Sequence, residues 1–224
     1  MKLPRKLAIG AELAAVVLLM LVACVPFATK DLFAYSLTNQ FLIAVTAAFS
    51  VYIMLRMDLL SFAVPAFMAI GGYAAAISAK GGGTNLLLLI GISFAMPALV
   101  ALPLGILVLR LKGVYFVLVT FIFTEILQLL IFETPGLSGG SNGIAGVPAA
   151  TIGGITLGTN RQVVFVTVAI AVLAAIITAF VTRRFRQEFA AIEENETLAE
   201  SLGLVVWRFR TLGFVAAAGI AGLA

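Results

Sequence analysis

Long apolar runs separated by short polar connectors set the pattern of this chain. A hydrocarbon core about 30 Å thick needs roughly 20 residues of helix to cross it. Six runs approach that length: Leu7 to Ala28, Phe33 to Leu55, Leu59 to Ala79, Leu86 to Leu109, Val114 to Phe132 and Val163 to Thr182. A seventh opens at Thr211 and reaches only Ala224, about 21 Å of helix at 1.5 Å per residue, with no polar flank after it. The pattern predicts an all-α fold, a polytopic transmembrane helical bundle of about six complete spans plus a truncated seventh. It forms a single transmembrane domain over 1–224, expected to be truncated at its C-terminus.

Composition agrees with this reading. With 62% hydrophobic and 11% charged residues and a mean hydropathy of +1.18, the chain has more apolar surface than one soluble core of this size could bury. Lipid is the solvent that accounts for the excess. The sequence pI near 9.5 does not indicate nucleic acid, because the basic residues sit in small clusters between apolar runs and not along one stripe. Their distribution instead orients the bundle. Placing the N-terminus in the cytoplasm puts Lys2, Arg5, Lys6, Arg56, Arg110, Lys112, Arg183, Arg184, Arg186, Arg208 and Arg210 on the inner side, and only Lys30, Lys80 and Arg161 on the outer side. That is the asymmetry expected of cytoplasmic loops facing anionic lipid.

The basic start followed by Leu21-Val22-Ala23-Cys24 also has the form of a lipoprotein signal. Cleavage there would remove the first anchor and upset the charge asymmetry, so the first run is read as an uncleaved span. Several chemistries are excluded. Cys24 is the single cysteine and histidine is absent, which removes an internal disulfide, the commonest metal ligand and the usual general base. No Gly-x-x-x-x-Gly-Lys-Ser/Thr phosphate loop is present, so the chain does not bind and hydrolyse ATP in the usual way. No carboxylate pair occurs at any membrane depth. A non-enzyme with no metal and no cofactor is expected.

Three places could carry function. Glu125 lies 13 residues beyond Lys112, about 20 Å into the membrane, where a carboxylate costs a few kcal/mol unless it faces the bundle interior or a wet cavity. Thr124 and Gln128 flank it. Glu125 is either a group on the substrate pathway or gate, or a polar clamp to a neighbouring helix. The outward connector holds Gly139-Gly140-Ser141-Asn142-Gly143, whose glycines permit tight turns and could seat a ligand or a partner, or could serve only as a connector. The inward connector, 183–210, holds five of the ten acidic residues, between Glu188 and Glu200. Phe185, Phe189 and Ile192 recur there at i, i+4 and i+7, which predicts a short amphipathic helix, with Gly203 as its stop. Such a helix on the inner face could dock a partner or simply pack on its own bundle.

Together three stretches resemble the permease subunits of branched-chain amino acid ABC transporters. Leu109 to Leu127 is similar to that family's Arg-Leu-x-Gly-x-Tyr-Phe helix with its Glu-Ile pair. Leu137 to Pro148 is similar to its Gly-Gly-Ser-Asn-Gly outer loop. Ala191-Ile192-Glu193-Glu194-Asn195-Glu196, followed by Ala199-Glu200-Ser201-Leu202-Gly203, resembles its cytoplasmic signature before an Ala-Gly-Leu-Ala helix. Leu59 to Ala79 is weakly like a further family segment, and the likeness covers the chain from about Val45 onward. Two departures stand out: Glu193 occupies a position where the family usually has arginine, and Phe62 and Val64 replace its glycine and histidine after Leu-Ser.

The resemblance implies an importer permease of the bacterial inner membrane that translocates branched-chain amino acids or similar small solutes. It implies docking of Ala191, Ile192, Glu193, Glu194, Asn195, Glu196, Ala199, Glu200 and Gly203 on an ATPase. Its implied partners are two cytoplasmic ATPase subunits, a homologous permease subunit and an extracytoplasmic solute-binding protein, besides membrane lipid. The alternative is an ion-coupled secondary transporter or channel in which Glu125 carries protons or binds a cation.

Overall fold

The computed structural model describes residues 32–111 and 113–224, so the first apolar run, Cys24, Lys30 and the basic residues of the N-terminus lie outside the described residues. The described chain is mostly helical. Its long elements are α1 (Leu32–Leu55), α2 (Val64–Lys80), α3 (Leu86–Val108) and α4 (Val114–Glu133). A single turn, α5 (Pro135–Ser138), and a 3-10 turn at Gly140–Asn142 follow, then α6 (Asn160–Arg184), α7 (Arg186–Glu194), α8 (Glu196–Ser201) and α9 (Val206–Leu223). Among the described residues α1, α3, α4 and α6 are long and apolar enough to cross a membrane. The protein is a multi-pass helical membrane protein.

Local chemistry sets the helix ends. The Asn85 side chain accepts from Leu87 N–H and caps α3. Thr159 and Gln162 form a reciprocal capping box at the start of α6. The run expected from Leu59 becomes helical only at Val64. Asp58 takes a positive φ of 57°, and a proline in the first turn of α2 suits a helix start. The last helix begins at Val206, before the expected Thr211, because Arg210 is buried and paired and so does not mark a polar connector.

The bundle is organised around α9, which packs most extensively on α3, then on α1 and α2. From Ala217 to Leu223 every residue of α9 is buried. Phe214, fully buried, meets Phe67 of α2 edge-on at 5.6 Å and Phe116 of α4 at 6.4 Å between ring centroids. Above this aromatic layer the backbones close up. A Cβ on Gly71 would overlap the Gly222 backbone, and one on Gly222 would overlap Pro97 and the Ser93 carbonyl of α3. Small residues at these crossings let three helices share one contact, as membrane bundles require. Helix α6 lies against α1, whereas α4 leans on α2 and α3 and buries only Phe116 and Thr120.

At the end bearing Lys80 and Asn160, an antiparallel hairpin joins β1 (Thr151–Ile152) to β2 (Ile155–Thr156) through Gly153 and Gly154. Thr151 N–H donates to the Thr84 carbonyl at 2.7 Å, which ties the hairpin to the start of α3. The apolar pattern does not reveal this element. The Thr-Ile-Gly-Gly-Ile-Thr string, a two-residue glycine turn between β-branched residues, carried the signal.

Candidate functional site

The inward connector is two short helices meeting at a bend. The predicted apolar stripe forms: Phe189 and Ile192 are buried, and the half-buried Phe185 stacks on Phe189 at 5.9 Å and on Phe209 at 5.8 Å. Asn195 divides the connector. Its backbone is extended and its side-chain Oδ1 accepts from Leu198 N–H at 3.0 Å, so it N-caps α8 and gives the connector an elbow. Gly203, at φ 88°, then turns the chain toward α9.

The inner face of this elbow is firmly seated. Phe189 joins the main core beside the fully buried Met57, while Ile192, Ala199 and Val206 form a small core of their own. Ion pairs supplement the apolar contact. Arg56, just past α1, donates to Glu193 at 2.8 Å, with both side chains partly exposed. Arg210, in the first turns of α9 and 5% exposed, pairs with Glu196 at 3.0 Å. The sequence marked neither arginine as a site residue: Arg56 lies 137 residues from Glu193, and Arg210 counted only as a basic residue of the connector. Glu193, the acidic residue at a position where an arginine was expected, thus has its counter-charge within the same chain.

The outer face of the elbow is open. Glu193, Glu194, Asn195, Glu200 and Gly203 are exposed, and so are Leu198, Leu202, Val205 and Trp207, with Leu202 80% accessible. Acidic groups interleaved with large apolar ones on a protruding helix pair form a surface suited to a partner's groove.

At the opposite end, Gly139 to Gly143 make a compact cap on α4. Ser138 is buried, donates to the Ile131 and Thr134 carbonyls, and accepts from Gly140 N–H at 3.1 Å. Gly139 sits at φ 76°, and a Cβ there would collide with the Gly143 carbonyl. Ser141 and Asn142 project outward. Ile144 reaches a shallow hollow lined by Ala69, Gly72, Tyr73 and Ala76 of α2.

The three residues predicted on α4 diverge. Thr124 turns inward, and its hydroxyl donates to the Phe62 carbonyl at 2.8 Å while the Phe62 N–H donates to Thr120 Oγ1 at 3.2 Å. Two threonines therefore clamp both backbone polar groups of Phe62, in the connector before α2. Glu125 and Gln128 face away from the described helices and are exposed, on a stripe with Leu118, Phe121 and Phe132. Phe62 meets Phe121 edge-on at 6.4 Å beside this stripe. The described residues include no cluster able to hold a metal ion.

A family model for branched-chain amino acid transport system permease components matches residues 33–224. The chain belongs to that family. Among its relatives, the high-affinity branched-chain amino acid transport system permease protein LivM of Escherichia coli K12 is 30% identical over 183 residues, covering 70% of this chain and 43% of the relative. The LivM protein of Salmonella typhimurium is 27% identical with the same coverage. This permease-family chain thus spans less than half the length of the curated relatives it matches. These relatives are permease proteins of a transport system. No solved structure matches the chain.

Proposed function

We propose that the parent protein is the permease subunit of an ABC importer of the bacterial inner membrane. It moves branched-chain amino acids or similar small solutes, with ATP hydrolysed by two partner subunits. The observation that carries this reading is the elbow of α7 and α8. It is anchored on one face by buried Phe189, Ile192 and Ala199, and it presents acidic and large apolar groups on the other. In this reading Ala191 to Gly203 docks on an ATPase, the N-terminus is cytoplasmic, and six complete spans precede α9. The connector 183–210 is then a coupling loop within one transmembrane permease domain.

Glu125 and Gln128 supply the second half of the proposal. A carboxylate and an amide on an uncovered membrane-helix face cost several kcal/mol against lipid, so that face is read as lying against the homologous permease subunit, along the solute path. The cap at Gly139 to Gly143 is positioned to receive an extracytoplasmic solute-binding protein. The test is co-purification of the ATPase subunits with the full protein. Leu202→Glu places charge at the most exposed apolar point of the elbow and is expected to lower ATPase recovery at least about tenfold while leaving the permease folded. Unchanged recovery, or uptake that survives ATP depletion and collapses with the proton gradient, would favour an ion-coupled transporter acting through Glu125.

A further inference from the structure

We infer that the Glu196–Arg210 pair is the joint through which movement of the α7–α8 elbow reaches α9, and that Arg210 is the positioning residue of this linkage. The inference rests on the function proposed above. It starts from the cost of the arrangement: a guanidinium 5% exposed is paired with Glu196 at 3.0 Å, and its Nε is buried with no hydrogen-bond partner among the described residues. Stability alone does not favour such a group. A buried ion pair is often no better than well-packed apolar residues of similar size, whereas loss of one partner is strongly destabilising.

Position gives the pair its role. Glu196 opens α8, one residue after the bend at Asn195, and Arg210 lies in the first turns of the helix around which the whole bundle packs. From Arg210 the same rigid helix runs through Phe214 in the aromatic layer to Gly222 at its crossing with α2 and α3. A force on the elbow therefore meets α9 at a charged contact that resists sliding, as an apolar contact does not. The second pair, Glu193 with Arg56, fixes the other side of the bend to the end of α1 and leaves α8 as the arm that swings.

The test uses the intact complex in lipid vesicles and measures solute moved per ATP hydrolysed. Glu196→Gln, which keeps shape and removes charge, is expected to lower that ratio about tenfold in complexes that retain both ATPase subunits. Arg210→Glu and Glu196→Arg are expected to fall at least as far, and the double exchange to recover to within about threefold of the unsubstituted protein. A normal ratio for Glu196→Gln, or a double exchange no better than either single one, overturns the inference.

Failure of the underlying function shows itself separately, as absence of ATPase subunits from the unsubstituted preparation. The joint is then judged by hydrogen exchange of the 186–201 amides in the full chain in nanodiscs. Each single charge reversal should speed exchange about tenfold and the double exchange should restore it, and any other pattern overturns the joint.

Discussion

Phe189 is the residue on which the elbow's placement most depends, and its truncation gives the sharpest test. Its ring is 1% exposed, packs on Phe185 at 5.9 Å and lies against Met57 and Gly213, so it fastens α7 both to the turn after α1 and to α9. Phe189→Ala removes a buried aromatic ring from a segment that lies outside the apolar spans, where water can reach the opened site. Core truncations of this kind cost about 3 to 5 kcal/mol. A loss of about 3 kcal/mol confined to the connector raises the equilibrium for its local opening roughly 100-fold. Hydrogen exchange with mass spectrometry on the full protein in nanodiscs reads this directly, as faster exchange of the 186–201 amides with α3 and α9 unchanged. Phe189→Leu keeps most of the volume and is expected to stay within about tenfold of the unsubstituted chain. Equal effects for Ala and Leu, or a uniform acceleration throughout α3 and α9, would refute the argument, since Phe189 would then support the bundle and not the elbow.

Two further outcomes are expected. Gly71→Leu forces a side chain into the Gly222 backbone, where neither helix can yield without losing its contact with α3, and should lower bundle stability by at least about 3 kcal/mol, seen as a fall in detergent-solubilised melting temperature. Glu125→Gln keeps side-chain shape and removes charge, and should reduce solute uptake at least about tenfold with unchanged assembly with the partner permease. Normal uptake would leave Glu125 as a packing group only.

The amphipathic stripe of the connector was legible in advance because it sits at a water interface, where the buried and wet faces differ in residue type. Phe189 and Ile192 are buried, and Gly203 turns the chain, as their spacing predicts. The bend at Asn195 was legible too, through the preference of asparagine for a helix N-cap, but the continuous apolar spacing on either side masks it. The glycine turn of the hairpin lies in the outward connector, beyond the apolar runs that mark the helices.

Sequence by itself determined where most helices run, which connector carries acidic and aromatic residues, and the family to which the chain belongs. Tertiary structure decided which helix stands at the centre, which face of α4 is left uncovered, and which arginines meet Glu193 and Glu196. The reason is the solvent. In a soluble helix the polar face points outward and the apolar stripe marks the core, but lipid and protein interior are equally apolar, so the residues of α3 or α9 carry little record of which side is buried. Long-range charge pairs are likewise invisible to local periodicity. Arg56 and Glu193 are 137 residues apart, and only the folding of α6 back along α1 brings them together.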